Sequence, residues 1–137
     1  MYTVLVVEDD INMCRLLEYN LRKAGYEVFV KQNPIEGLKV ALEKRPDVII
    51  SDFEMPIQNG QQFCAAVRDH AEIAETPFIV ITGKGSNELK MKGLSRMFDD
   101  YLEKPVDMSY LIAKVNAITR RMAREVTYSK GHDRWNY

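Results

Sequence analysis

Cysteine is scarce in this sequence, with two among 137 residues, and Cys14 and Cys64 stand far apart at no metal-ligand spacing. That argues against a disulfide scaffold and a thiolate metal centre, and both thiols are expected to be reduced, structural and carried on helices. Histidine is equally rare: neither His70 nor His132 has a partner at ligand spacing, so a zinc site is not expected and both read as surface residues. Charge of one sign is not in excess either. The formal net charge is -1, which argues against binding nucleic acid by bulk electrostatics. No uninterrupted apolar run approaches membrane-spanning length, and the strand-like residues just after Met1 leave no basic and apolar leader regions. A soluble, cytoplasmic protein is expected. Repeats and low-complexity stretches are missing too, and the one tryptophan, Trp135, falls in "EVTYSKGHDRWNY", where apolar periodicity fades. We read a single domain over 1–124 and a C-terminal tail, or the start of a linker, over 125–137.

What the chain does have is alternation. Apolar, β-branched runs recur at 2–8, 27–31, 47–51, 77–82 and 99–104, and the segments near 11–24, 34–44, 59–70, 86–96 and 107–123 carry apolar residues at helical spacing. Gly25 stands where the first helix should end, Pro34 where the second should begin, and Pro46 just after its close. Five strand–helix units predict a doubly wound α/β domain of the flavodoxin-like kind, with a five-stranded parallel sheet in the order 2-1-3-4-5 and five helices.

In such sheets ligands sit outside the carboxyl ends of the strands. The first strand is followed by Glu8, Asp9 and Asp10, the third by Asp52, while the fourth ends on Thr82 and the fifth on Lys104 before Pro105. With the first and third strands adjacent, Glu8, Asp9 and Asp52 converge, and three carboxylates in a small volume call for a cation; an all-oxygen set suits magnesium. A hydroxyl and an ammonium facing a metal-bound carboxylate would hold a phosphoryl group, for which an aspartate is a competent nucleophile. Each residue alone has a plainer reading. Asp10 is best explained as a helix N-cap, Thr82 alone as a strand residue, Lys104 alone as a solvated lysine, and Asp52 alone as a turn residue before Pro56 and Gly60. Their joint placement at the ends of different strands favours the chemical reading.

The segments "VLVVEDD" (4–10), "PDVIISDFEMP" (46–56), "NG" (59–60), "PFIVITG" (77–83) and "DDYLEKP" (99–105) resemble, in order, the receiver domain of bacterial two-component response regulators. The resemblance implies that Asp52 is the phosphorylated residue, that Asp9 binds magnesium directly and Glu8 through water, and that the backbone carbonyl of Glu54 is a further ligand. It also implies that Lys104 pairs with the phosphoryl group across a Lys104–Pro105 bond that is often cis, and that Thr82 and Tyr101 form the switch. Tyr101 has a plainer reading as strand packing. Glu54 and Lys84 resemble positions that tune the phosphoryl lifetime. The donor implied is a phosphohistidine on a histidine kinase or phosphotransfer protein. The readout is a population shift at the face of the fourth helix, fifth strand and fifth helix, toward a downstream protein or a covalent output domain. Catalysis would extend only to self-phosphorylation and self-dephosphorylation.

Three positions depart from the family pattern. Met97 and Phe98 stand where small residues are common, and we read them as core packing in preference to a partner contact; Gly83 stands where alanine is frequent. The basic residues Arg120, Arg121, Arg124, Lys130 and Arg134 are read as a solvated helix end and not as a nucleic-acid arm. Two other functions compete with the receiver. A magnesium-dependent phosphohydrolase with an aspartate nucleophile wants a second Asp two residues on, where this chain has Glu54. A phosphate-independent binding module would be expected to have lost one of Glu8, Asp9, Asp52, Thr82 and Lys104.

Overall fold

The computed structural model describes residues 1–83 and 97–135, with side chains as far as Glu125. Five parallel strands, β1 (Thr3–Val7), β2 (Glu27–Lys31), β3 (Val48–Asp52), β4 (Phe78–Thr82) and β5 (Asp100–Glu103), form one sheet in the order β2-β1-β3-β4-β5. Around it lie α1 (Ile11–Lys23), α2 (Pro34–Lys44), α3 (Gly60–Arg68) and a C-terminal helix (Met108–Trp135). The described residues therefore hold four helices. The expected helix near 86–96 lies outside them.

Alternate residues along the strands feed two cores. Val4, Val6, Ile50, Ile79 and Ile81 face α1 and the C-terminal helix, against Leu17, Leu21, Leu111 and Val115. Leu5, Val7, Ile49, Phe78 and Val80 face α2 and α3, against Ala41, Phe63 and Val67. A strand buried on both faces has no room for a polar side chain except at its tip, which is why charges collect there. Truncating any of the fully buried leucine, isoleucine or phenylalanine side chains among these to alanine costs about 2–5 kcal/mol.

Local chemistry sets the helix starts. The Asp10 side chain accepts from the amides of Asn12 and Met13, Asn33 caps α2 with Pro34 in its first turn, and Asn59 forms a reciprocal capping box with Gln62. Gly25, at φ 100°, turns the chain from α1 into β2 as the glycine there suggested. The C-terminal helix departs from its expected span of 107–123: its backbone stays helical to Trp135, passing through Gly131 without a proline to stop it.

Phe98 is 7% exposed and stacks on Phe78, with ring centroids 5.9 Å apart, while Met97 packs on the same core. The core-packing reading of this pair therefore holds. Arg68, at the end of α3, donates to the carbonyls of Ala74, Thr76 and Met97 and lies 3.5 Å from Asp99, tying that helix to the approach into β5. No helix among the described residues is long and apolar enough to cross a membrane.

Candidate functional site

The register of β1 and β3 brings the acids together. Val7 lies opposite Ser51, so Glu8 and Asp9 on one side and Asp52 on the other leave the sheet at the same level. Asp52 is the last residue of β3, paired with Ile81, and not the first residue beyond the strand as the sequence suggested. Glu8 is anchored by its amide, which donates to the carbonyl of Lys31 at the end of β2. Glu8 and Asp52 are almost fully buried and Asp9 is exposed, and each contributes a carboxylate oxygen to a group within 4.8 Å of one another.

Lys104 reaches this group from the end of β5. Its Nζ stands 3.4 Å from Glu8 Oε1 and 3.4 Å from Asp52 Oδ2. Its backbone amide donates to the carbonyl of Thr82 at 2.8 Å, so the ends of β4 and β5 stay in step, and the Lys104–Pro105 bond is cis. Thr82 is 1% exposed on the same rim, whereas Tyr101 is half-buried against the core shared by α2 and α3. Glu54 is exposed, and its amide donates to Asp52 Oδ1 at 3.2 Å. The sequence reading missed that contact, although an Asp accepting from the amide two residues on is a common turn habit. Lys84 lies outside the described residues.

Burial, then the nearby Asp52 charge, raises the Glu8 carboxyl to about 7. Burial also raises Asp52, partly offset by Lys104. Burial pulls the Lys104 ammonium down, but the two facing carboxylates outweigh it, so its pKa is raised. One ammonium thus serves two buried acids with an exposed third beside them. Glu8 Oε2 is buried with no hydrogen-bond partner among the described residues. An orphaned oxygen in an oxygen-only cluster fits a hard divalent cation such as magnesium.

The cysteines take no part. Cys14 Sγ donates to the Glu8 carbonyl and Cys64 Sγ to the Met97 carbonyl, and burial raises both thiols to about 11, which keeps them protonated.

The sequence profile of the response regulator receiver domain matches residues 4–116. The chain belongs to the response regulator receiver family. Its function is that of a phosphoacceptor receiver domain. The response regulator ArlR of Staphylococcus aureus is 37% identical over 125 residues, covering 91% of this chain and 56% of ArlR. This chain thus spans little more than half the length of that relative. The solved structure of the chemotaxis response regulator CheY4 of Vibrio cholerae is 34% identical, covers 86% of this chain and 98% of its own, and superposes with a TM-score of 0.78. The receiver domain of the Francisella response regulator 1452 is 30% identical, with 89% and 99% coverage and a TM-score of 0.80.

Proposed function

We propose that this receiver domain accepts a phosphoryl group on Asp52 from a phosphohistidine of a histidine kinase or phosphotransfer protein in the cytoplasm. The observation that carries this is the buried Asp52 carboxylate at a strand end, within 3.4 Å of Lys104 Nζ and clustered with Glu8 and Asp9. An Asp52 carboxylate oxygen attacks phosphorus in line, the phosphorus–nitrogen bond of the donor breaks, and its electron pair stays on the imidazole. Lys104 meets the phosphoryl charge and the Thr82 hydroxyl donates to a phosphoryl oxygen. Water later cleaves the acyl phosphate, releasing inorganic phosphate and restoring the Asp52 carboxylate. Asp9, Asp52, the Glu54 carbonyl and, through water, Glu8 would hold magnesium, which supplies charge neutralisation for the transferring oxygens.

Thr82 and Tyr101 then carry the switch to the face that includes β5 and the C-terminal helix, where a downstream protein or a covalent output domain reads it. Glu54 and Lys84 tune the lifetime. The receiver occupies 1–124, and 125–137 is a tail or the start of a linker.

Intact mass after incubation with acetyl phosphate tests the proposal on wild type and Asp52→Asn, with and without magnesium. One phosphoryl adduct requiring both Asp52 and magnesium is expected. An adduct that survives Asp52→Asn, or many turnovers on simple phosphate esters, would overturn it.

A further inference from the structure

Asp9 is the exposed member of the acid cluster, so packing does not aim its carboxylate, and its direction depends on the backbone on either side of it. One residue of α1 holds that backbone at both flanking carbonyls. The Cys14 amide donates to the Asp10 carbonyl at 2.9 Å, and the Cys14 thiol donates to the Glu8 carbonyl at 3.0 Å. The Glu8 amide is engaged as well, by the Lys31 carbonyl, so the turn out of β1 is tied down on both sides of Asp9.

The two arms of Cys14 differ in what they need. Its amide makes the first hydrogen bond of α1, which any residue but proline would keep. The thiol arm belongs to the side chain alone. Leu17 and Leu21, further along the same buried face of α1, fill the apolar core, whereas the Cys14 sulfur is directed at a peptide oxygen. Glu8 is almost fully buried, so losing the thiol leaves that oxygen short of a donor where water has little access.

We propose that Cys14 is the positioning residue that aims Asp9 at the cation of the acid cluster, by bracketing the peptide carbonyls before and after it. This rests on the phosphoacceptor reading above and adds a residue of α1 to the support of its metal-holding acids. A cation there has independent support, because Glu8 Oε2 lies buried in the same carboxylate group with no hydrogen-bond partner among the described residues. The sulfur acts through the backbone and takes no part in the chemistry. Without it, the peptide between Glu8 and Asp9 rotates toward another donor, and the Asp9 carboxylate turns with it.

Manganese binding to the unphosphorylated full chain, followed by loss of the free-ion EPR signal, tests this without any turnover. Cys14→Val keeps most of the buried volume and removes the donor, while Cys14→Ser is smaller and more polar but keeps one. Cys14→Val is expected to weaken binding by about tenfold, the low end for removing a group that orients a metal ligand, with Cys14→Ser within about twofold of wild type. A residue that merely filled space would give the opposite order. Wild-type affinity in Cys14→Val, an equal loss in Cys14→Ser, or a wild type that binds no manganese would overturn the proposal. Asp9→Asn ties the effect to the carboxylate: in that background Cys14→Val weakens binding no further, and a second loss of similar size would overturn the aim at Asp9. The carbonyl carbon-13 resonance of Glu8 reads the bracket in metal-free protein. It moves upfield in Cys14→Val and in Cys14→Ala, as for a carbonyl that loses a donor, and an unmoved resonance would overturn the bracket. A wild type that binds manganese in the expected pattern but takes no phosphoryl group from acetyl phosphate would instead refute the acceptor reading and keep the bracket.

Discussion

Lys104 Nζ stands 3.4 Å from Asp52 Oδ2, joining the ends of two strands, β5 and β3, that are not neighbours in the sheet. The same ammonium serves Glu8, so its removal leaves two nearly buried carboxylates without their cation. Lys104→Met is expected to lower the stability of the magnesium-free domain by about 1–3 kcal/mol at pH 8, a discounted value because the lysine is partly exposed. The deficit should shrink as the pH falls through about 7, where Glu8 takes up a proton. Urea unfolding of both proteins at pH 6 and pH 8 checks this, and an equal deficit at the two values would contradict it.

Glu8 sets a pH dependence of its own. Its folded-state pKa of about 7 lies above the ordinary 4.5, so between those values the folded state binds more protons than the unfolded one. Stability then falls as the pH rises through that window. Glu8→Gln removes the penalty and is expected to stabilise the magnesium-free domain by about 1–3 kcal/mol at pH 8, with little effect at pH 4.5. Thermal melts in chelator across pH 4.5–8 would show the two curves diverging upward in pH. Convergence would mean that burial does not burden Glu8.

Ile57 offers a gain in stability outside the chemistry. The Gln58 amide donates to the Pro56 carbonyl, which makes Ile57 the centre of a three-residue turn at φ 74°, a conformation a β-branched residue adopts only under strain. Its side chain is 73% exposed and contributes little packing. Ile57→Gly is expected to raise stability by roughly 1 kcal/mol, seen as a higher denaturant midpoint at unchanged slope. A lower midpoint would show that the side chain holds the loop.

Gly60 couples packing to the acceptor. A Cβ there would fall 2.8 Å from the Phe53 α-carbon and 3.0 Å from the Asp52 carbonyl oxygen, both of them backbone atoms that do not yield cheaply. Gly60→Ala is expected to cost about 1–3 kcal/mol and to slow phosphorylation of Asp52, although no reacting group is altered. Phosphorylation at the wild-type rate in a destabilised Gly60→Ala would separate the loop from the site.

Much of this molecule was legible in its residue pattern, because its strands are buried on both faces and its helix starts carry their own chemistry. The start of α2 follows from Pro34 and its close from Pro46, and the gathering of Glu8, Asp9 and Asp52 follows from strand order. What stayed hidden depends on distance through space or on local exceptions. Nothing in the sequence says that Glu54 reaches across to Gly83, since the two belong to different strand ends. The turn at Ile57 runs against the preferences of its own residue, and the three carbonyls held by Arg68 come from segments with no sequence signal for that role. The helical backbone beyond Arg124 lacks the apolar stripe by which a helix is recognised.

Helix α3 is gripped at both ends. The Gly60 amide donates to the Phe53 carbonyl at one end, and Arg68 holds the Met97 carbonyl at the other, with nine residues, ~13 Å of helix, between them. A helix of that length is stiff, so the loop behind the acceptor and the chain just before β5 are fastened to opposite ends of one rigid element, two places far apart in sequence that share a single support.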